Sequence, residues 1–298
     1  MSTTTTSDVS SVTPTTDRAI PTRRISFEEA LQELPKHFAH DGDLILSHLA
    51  ANLSAVFPDG EDFFVRSVRH YRKGITDPEM KANVAGFIGQ EAMHGREHRM
   101  FNDRLDQLGY PTKRIERFTK WGLANRAKIA PPISNLAATA ALEHFTATLA
   151  ELILTSEDAR DLFGDEAVAN LFFWHALEES EHKAVAFDLY KQVGGSERLR
   201  VWTMKFTRTG FVVGLALQMM LSLLGDRETY RKGKLRKSWK HFRSTPLVSS
   251  DLWAQLKDYD RPDFHPNDRD TTALVVEWRE RLFGENGTLN DLLVGSAA

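Results

Sequence analysis

The sequence predicts an all-α protein, a four-helix bundle followed by additional C-terminal helices, and three observations carry that prediction. From about Ser26 onward, apolar residues recur at spacings of three and four, with few of the alternations that a half-buried strand needs. The periodic segments are separated by Gly and Pro signals that stop helices. Two of the segments carry an ExxH motif, Glu91–His94 and Glu179–His182, which on a helix turns a carboxylate and an imidazole to one face.

Taken in order, residues 2–16 hold eleven Ser or Thr and almost nothing apolar, so residues 1–24 are expected to form a disordered tail. The tail lacks the basic start, apolar run and small-residue cleavage site of a secretory signal, which makes the cytoplasm the expected compartment. Asp43 to Phe57 reads as an amphipathic helix. Pro58-Asp59-Gly60 reads as a break before a second helix that begins near Glu61, continues through Phe64, Val65 and Val68, and ends at Gly74. Thr76 and Glu79 have capping-box spacing and open a pattern of about eight turns, which stops at Leu108 before Gly109 and Pro111. After a loop with Pro131-Pro132, a small-residue helix covers Ser134 to Thr155. Another covers Asp165 to Val193 and ends at Gly194-Gly195. Residues 25–195 are therefore expected to form a metal-binding bundle, with residues 196–298 as a helical extension packed on it.

The extension changes character. Gly210 to Leu224 is nearly all apolar, and Arg231 to Arg243 follows with seven Lys or Arg and no acid. The apolar run is shorter than the roughly 20 residues a spanning helix needs. Two readings compete: a fifth helix buried against the bundle, and peripheral membrane contact through residues 210–243, aided by the basic stretch and Trp239. A last helix, about Asp270 to Phe283, closes the chain.

Composition excludes much chemistry. With no Cys, the 298-residue chain has no disulfide, zinc ribbon, iron–sulfur cluster or thiol nucleophile, so any metal must be held by His, Asp and Glu. A net charge of -3 gives no global drive toward nucleic acid, and no nucleic-acid partner is expected. No Ser-His-Asp arrangement, Walker loop or dinucleotide fingerprint is evident.

The two ExxH pairs lie on apolar stripes. Val84, Phe87 and Ile88 precede Glu91, with Phe101 and Leu105 beyond; Leu171 and Phe172 precede Glu179, with Val185 and Leu189 beyond. Lys and Arg are absent from these stripes. A buried, unpaired carboxylate costs several kcal/mol and would protonate, so acids on core stripes call for a strong cation. Di-metal carboxylate bundles add one Glu from each of the two other helices. Glu143, among Leu136, Ala140, Ala147 and Ala150, and Glu61, ahead of Phe64, Val65 and Val68, fit those places. His175 stands one turn before Glu179, so this helix reads HxxxExxH. Glu178 is placed either as a bridging acid or as an outer acceptor for a ligand His. His98, one turn after His94, and His144, beside Glu143, read as supporting or capping partners. Phe172, Phe173 and Trp174 could line a pocket, although large residues at helical spacing belong more often to the core.

The segments Gly89-Gln-Glu-Ala-Met-His-Gly-Arg-Glu-His98, Leu142-Glu-His144 and Trp174-His-Ala-Leu-Glu-Glu-Ser-Glu-His182, followed by Lys183-Ala-Val-Ala-Phe-Asp188, resemble the bacterial "predicted metal-dependent hydrolase" family from about residue 20 to the last helix. That resemblance implies a metal site without fixing a substrate. More remotely, the order Glu, ExxH, Glu, HxxxExxH is similar to that of the di-iron arylamine N-oxygenases of the ferritin-like superfamily. It implies a ferritin-like bundle in which Glu61, Glu91, His94, Glu143, His175, Glu179 and His182 bind metal.

Four carboxylates and three neutral imidazoles balance two divalent ions, and oxygen and nitrogen donors suit two Fe ions, with Mn or Zn as alternatives. The leading expectation is therefore a di-iron enzyme that uses O2 and an electron donor to oxidise a small organic molecule. The alternatives are a hydrolase that shares a hydroxide between two metals and a non-catalytic iron-binding protein, with an oligomer compatible with each.

Overall fold

The computed structural model describes residues 20–295. The described residues form an all-α fold, with two isolated bridges, Ile25–Leu293 and Ala39–Phe163, as the only strand-like pairings among them. Most of the expected tail, residues 1–19, lies outside the described part. Its last residues do not behave as a tail. Ile20 and Thr22 lie over α2 so closely that a Cβ on Gly86 or Gly89 would collide with them, and Ile25 is fully buried.

The helices are α1 (Leu44–Tyr71), α2 (Pro78–Gln107), α3 (Thr112–Ile129), α4 (Pro132–Thr155), α5 (Glu157–Arg160), α6 (Glu166–His182), α7 (Val185–Gln192), α8 (Glu197–Leu224), α9 (Lys234–Phe242), α10 (Ser250–Asp258) and α11 (Thr272–Phe283). α1 packs on α2 and α4 on α6, and contacts between α1 and α4 and between α2 and α6 close the four into a bundle. α4 allows this because Ala137, Ala138, Ala140 and Ala141 bring neighbouring backbones close.

Four expectations are corrected. The break at Pro58 does not occur, and α1 runs through it. Proline cannot donate to the carbonyl four residues back, but the Asn102 side-chain amide donates to the Ser54 carbonyl at 3.1 Å in its place. The helix therefore continues, and Glu61 stays on the inner face. The second correction concerns the loop expected before Pro131, which contains α3, a helix whose many basic residues leave only Thr112 and Ile115 buried. Third, Asp77 rather than Thr76 caps α2, accepting from the Met80 N–H at 2.8 Å, because Pro78 fixes the first helical residue. The helix expected to run to Val193 is also interrupted after His182, where α6 gives way to α7.

Two apolar clusters fill the interior. One gathers Phe63, Val68, Phe87, Ala141, Leu189 and Tyr190, and the other Phe27, Phe101, Leu105, Trp174, Leu177 and Trp278. The C-terminal third joins both, through Met204 and Tyr259 in the first and Trp278 and Leu282 in the second. α8 differs from the first of the two readings, a fifth helix buried against the bundle. It begins at Glu197 rather than near Gly210, and only Arg200, Thr203, Met204 and Ser222 are buried. By length and composition it is the one described helix long and apolar enough to cross a membrane.

Candidate metal centre

A polar band separates the two apolar clusters. Along α2 the sequence passes from Phe87 in one cluster, through Glu91 and His94, to Phe101 in the other; along α6 and α7 it passes from Trp174, through Glu179 and His182, to Leu189. All seven residues singled out from the sequence meet there and are buried: Glu61 from α1, Glu91 and His94 from α2, Glu143 from α4, and His175, Glu179 and His182 from α6. Three overlapping groups bring their donor atoms within 4.8 Å of one another: Glu61–His94–His175, Glu91–His94–Glu179 and Glu91–Glu143–His182. Glu91 and His94 are shared between groups, so the cluster is a continuous strip.

The donor atoms lack ordinary partners. Both carboxylate oxygens of Glu61, Glu91 and Glu143, one of Glu179, His94 Nδ1 and His182 Nε2 are buried without a hydrogen bond. Buried polar atoms are nearly always satisfied, so this concentration at one place needs a cause. Lys and Arg do not supply it, because the short charge contacts of these groups are with each other. His182 Nε2 stands 3.0 Å from Glu91 and 3.4 Å from Glu143, and His175 Nε2 stands 3.1 Å from Glu179. Oxygen and nitrogen atoms converging in this way fit a divalent cation.

Electrostatics show the strain of the metal-free cluster. Burial, with repulsion from Glu143, pushes the Glu91 carboxyl up to about 8. Burial and Glu179 push Glu143 up to about 7. Burial, then Glu91 and Glu179, hold Glu61 well above the carboxylate range. Burial opposes protonation of His182, but the surrounding Glu179, Glu143 and Glu91 outweigh it and raise its pKa. Without a cation, the strip holds protons at neutral pH.

The ring atoms that face away from the strip are held by partners that fix each tautomer. His94 Nε2 lies 3.1 Å from Glu178, and His182 Nδ1 lies 2.8 Å from Gln90 Oε1. Gln90 in turn donates to Glu181 and to the Pro21 carbonyl, while Arg23 bonds both Glu178 and Glu181. Glu178 is thus an outer acceptor, not a bridging acid. His98 is also an outer partner, with Nε2 at 2.7 Å from His175 Nδ1 and Nδ1 at 2.9 Å from Ser54. His144 points elsewhere and bonds the Gln255 carbonyl in the last turn of α10 at 3.0 Å, which is a capping contact.

Sequence reasoning missed Arg23, Gln90 and Glu181. Gln90 and Glu181 stand directly beside Glu91 and His182, a usable signal, whereas Arg23 belongs to the segment read as tail. Trp174 is a core residue whose ring meets His94 edge-on, and Phe172 borders a cavity. A second group, His37, His48 and Asp226, also has metal-ligand spacing. There, however, Lys36 already contacts Asp226 at 3.1 Å, and Ser222 bonds His48.

Two apolar cavities reach the strip at His175 and Glu179. The larger, about 280 Å³, lies between α3 and α8 and also exposes Glu61; the smaller, about 100 Å³, extends past Phe57 toward Phe163.

A helical bundle closed around a buried strip of carboxylates and imidazoles defines a class of protein built to hold metal ions among its helices. Sequence comparison then gives the family. The model described as "Predicted metal-dependent hydrolase" matches residues 21–270, and the chain belongs to that family. No curated protein and no solved structure matches the chain, so the remoter similarity to arylamine N-oxygenases has no counterpart in these findings.

Proposed function

We propose that the strip holds two divalent metal ions and that the protein is a metal-dependent hydrolase. The carrying observation is the set of buried, unpartnered donor atoms of Glu61, Glu91, His94, Glu143, Glu179 and His182, in a chain whose family is described as metal-dependent hydrolases. His175 completes the ligand set through Nε2. Bound divalent ions would supply Lewis acidity, polarising a substrate carbonyl or phosphoryl oxygen and lowering the pKa of water.

The chain's own residues divide the remaining work. Gln90 and Glu178 hold the His182 and His94 rings so that Nε2 of one and Nδ1 of the other face the strip. Ser54 and His98 do the same for His175. Glu91, Glu143 and His182 form the closed end. Glu61, His175 and Glu179 border the cavities, so a substrate's reacting group is received on their side. The apolar walls exclude bulk water there, which strengthens every electrostatic contact.

The test is metal analysis joined to turnover. Protein loaded with Zn or Mn is expected to hold about two ions per chain and to cleave model esters or phosphoesters without O2. Two Fe per chain with O2 consumption on adding ferrous iron, and no anaerobic turnover, would overturn hydrolysis in favour of the oxidase chemistry expected from the ligand order. Iron uptake far above two per chain would point to storage.

A further inference from the structure

We propose that the face formed by α3 and α8 docks on an anionic lipid bilayer, and that the cavity between these helices takes a lipid acyl chain whose ester end meets the strip. The substrate part rests on the hydrolase reading above; the docking part does not.

The outer surface of α8 is apolar and unpartnered. Trp202, Phe206, Val213, Leu217 and Met220 recur at helical spacing on one exposed stripe, with Phe206 at 72 % of its full exposure. α3 presents Phe118, Trp121 and Ile129, each more than 60 % exposed. Exposed apolar patches of this kind mark interaction sites.

Charge chooses the occupant. α3 interleaves its exposed aromatics with Lys113, Arg114, Arg117, Lys120, Arg126 and Lys128 against a single acid, Glu116. Downstream of α8, the stretch from Arg231 to Arg243 places Trp239, half exposed, among seven Lys or Arg. Basic helices with aromatic anchors lie in the headgroup region of anionic membranes. α8 does not span, because its inner side is tied to the bundle. Arg208 bonds the Leu256 carbonyl and Asp260, Arg200 bonds the Arg261 carbonyl, and Phe211 packs on Phe145. A spanning helix would have to break these contacts.

The cavity mouth opens beside this face. Its wall includes Gly122 on α3 and Gly210 and Gly214 on α8, and a Cβ at any of the three would meet nothing within 4 Å, so the glycines leave the passage wide. Beyond them the walls down to Glu61, His175 and Glu179 are mainly apolar, with Thr119, Thr146 and Gln218 the polar side chains on the way. An acyl chain entering from the bilayer would pass along mostly apolar surface, and its ester carbonyl would stop at the carboxylates and imidazole of the strip. In the hydrolytic step, water gives its hydroxyl to the acyl carbon, the acyl C–O bond breaks and the departing alkoxide takes the proton, leaving a fatty acid and an alcohol.

The test is vesicle flotation of the full-length protein as purified, which needs neither turnover nor full metal loading and so fails independently of the hydrolase reading. The protein is expected to float with phosphatidylcholine–phosphatidylglycerol vesicles but not with phosphatidylcholine alone. A Phe118→Ser/Trp121→Ser double variant should bind about tenfold or more weakly. Gly214→Phe, which fills open space, should float normally yet lose binding of fluorescent parinaric acid. Docking is overturned by absence of flotation, by a stable dimer that buries this face, or by resistance to alkaline extraction, the mark of a spanning helix. Parinaric acid binding unchanged in Gly214→Phe removes the acyl-chain cavity.

Discussion

The interior strip and the outer face of α3 and α8 break the same rule in opposite directions. Proteins bury apolar side chains and expose charged ones. Here Glu61, Glu91, Glu143 and Glu179 are buried, while Trp121, Phe206 and Leu217 face outward. Each inversion is destabilising for the isolated chain, and each is local. The strip lies between two ordinary apolar clusters, and the outer face lies on helices whose other sides pack normally. The fold is held by the conventional regions, and the two inverted ones carry the functional readings, one toward cations and the other toward lipid.

The comparison can be broken most decisively at the strip. Glu91→Ala and Glu179→Ala are each expected to lower bound metal from two ions per chain to one or none by elemental analysis, with helical circular dichroism retained. The two should differ in stability: Glu91, whose carboxyl burial pushes up to about 8, is protonated in the metal-free protein and its removal should change stability little, whereas Glu179 is held ionised by His182 and His175, and removing it should cost about 3–5 kcal/mol by leaving those imidazoles without their partner. Full metal retention in both variants would take these residues out of the ligand set.

Next in size is the effect of metal on stability. Metal at 100 times its dissociation constant should stabilise the fold by about 2.7 kcal/mol per site, and at a fixed metal concentration the difference should grow with pH. Glu91 and Glu143 keep their protons up to about 8 and 7 in the folded, metal-free protein, but lose them near 4.3 when unfolded. The folded state therefore binds more protons across this interval, and metal-free stability falls as pH rises from 6.5 to 8.5. His182, raised by its carboxylate neighbours, acts in the same direction. Metal must displace these protons, so its affinity rises over the same range. Thermal melts at both pH values, with and without metal, would show a widening gap; a constant gap would mean that the carboxyls are already ionised.

Smaller losses are expected from the groups that hold the ligand rings. Gln90→Leu and Glu178→Gln should each weaken metal binding by about 10- to 100-fold in competition titrations. Unchanged affinity would show that the rings are held by packing alone.

These outer groups also mark how far the sequence could be read. The meeting of the two ExxH pairs in the strip is legible because they combine two signals, a three-residue spacing and placement on an apolar stripe, and both follow from helical geometry. Glu61 is harder, since Pro58 signals a break, and the carbonyl that Pro58 leaves without its helical donor is satisfied by a long-range bond from Asn102. α3 was not legible as a helix because its exposed apolar residues give no inward stripe. Arg23 was invisible for a related reason. Its role depends on Ile20 and Thr22 settling against Gly86 and Gly89, a tertiary contact with no local periodicity. The same dependence on what lies outside the chain's own core applies to α8, for which the sequence leaves burial and membrane contact open; Met204 and Phe211 pack on the core while Trp202, Phe206 and Leu217 stay exposed.

The smallest expected effect therefore falls on that face, and it sharpens the comparison most directly. Leu217 is about half exposed and belongs to neither apolar cluster, so Leu217→Ser should change the free energy of unfolding by no more than about 0.5 kcal/mol. Leu189→Ala, in the fully buried cluster beside the strip, should cost about 2–5 kcal/mol. Denaturant titration of both variants in the absence of lipid gives the contrast. If Leu217→Ser costs as much as Leu189→Ala, and the cost depends on protein concentration, the outer face is already covered by a second copy in solution and is not free to meet a membrane. If the cost is near zero without lipid, and the Leu217→Ser variant also binds anionic vesicles more weakly, the apolar surface of α8 serves association with lipid and not folding.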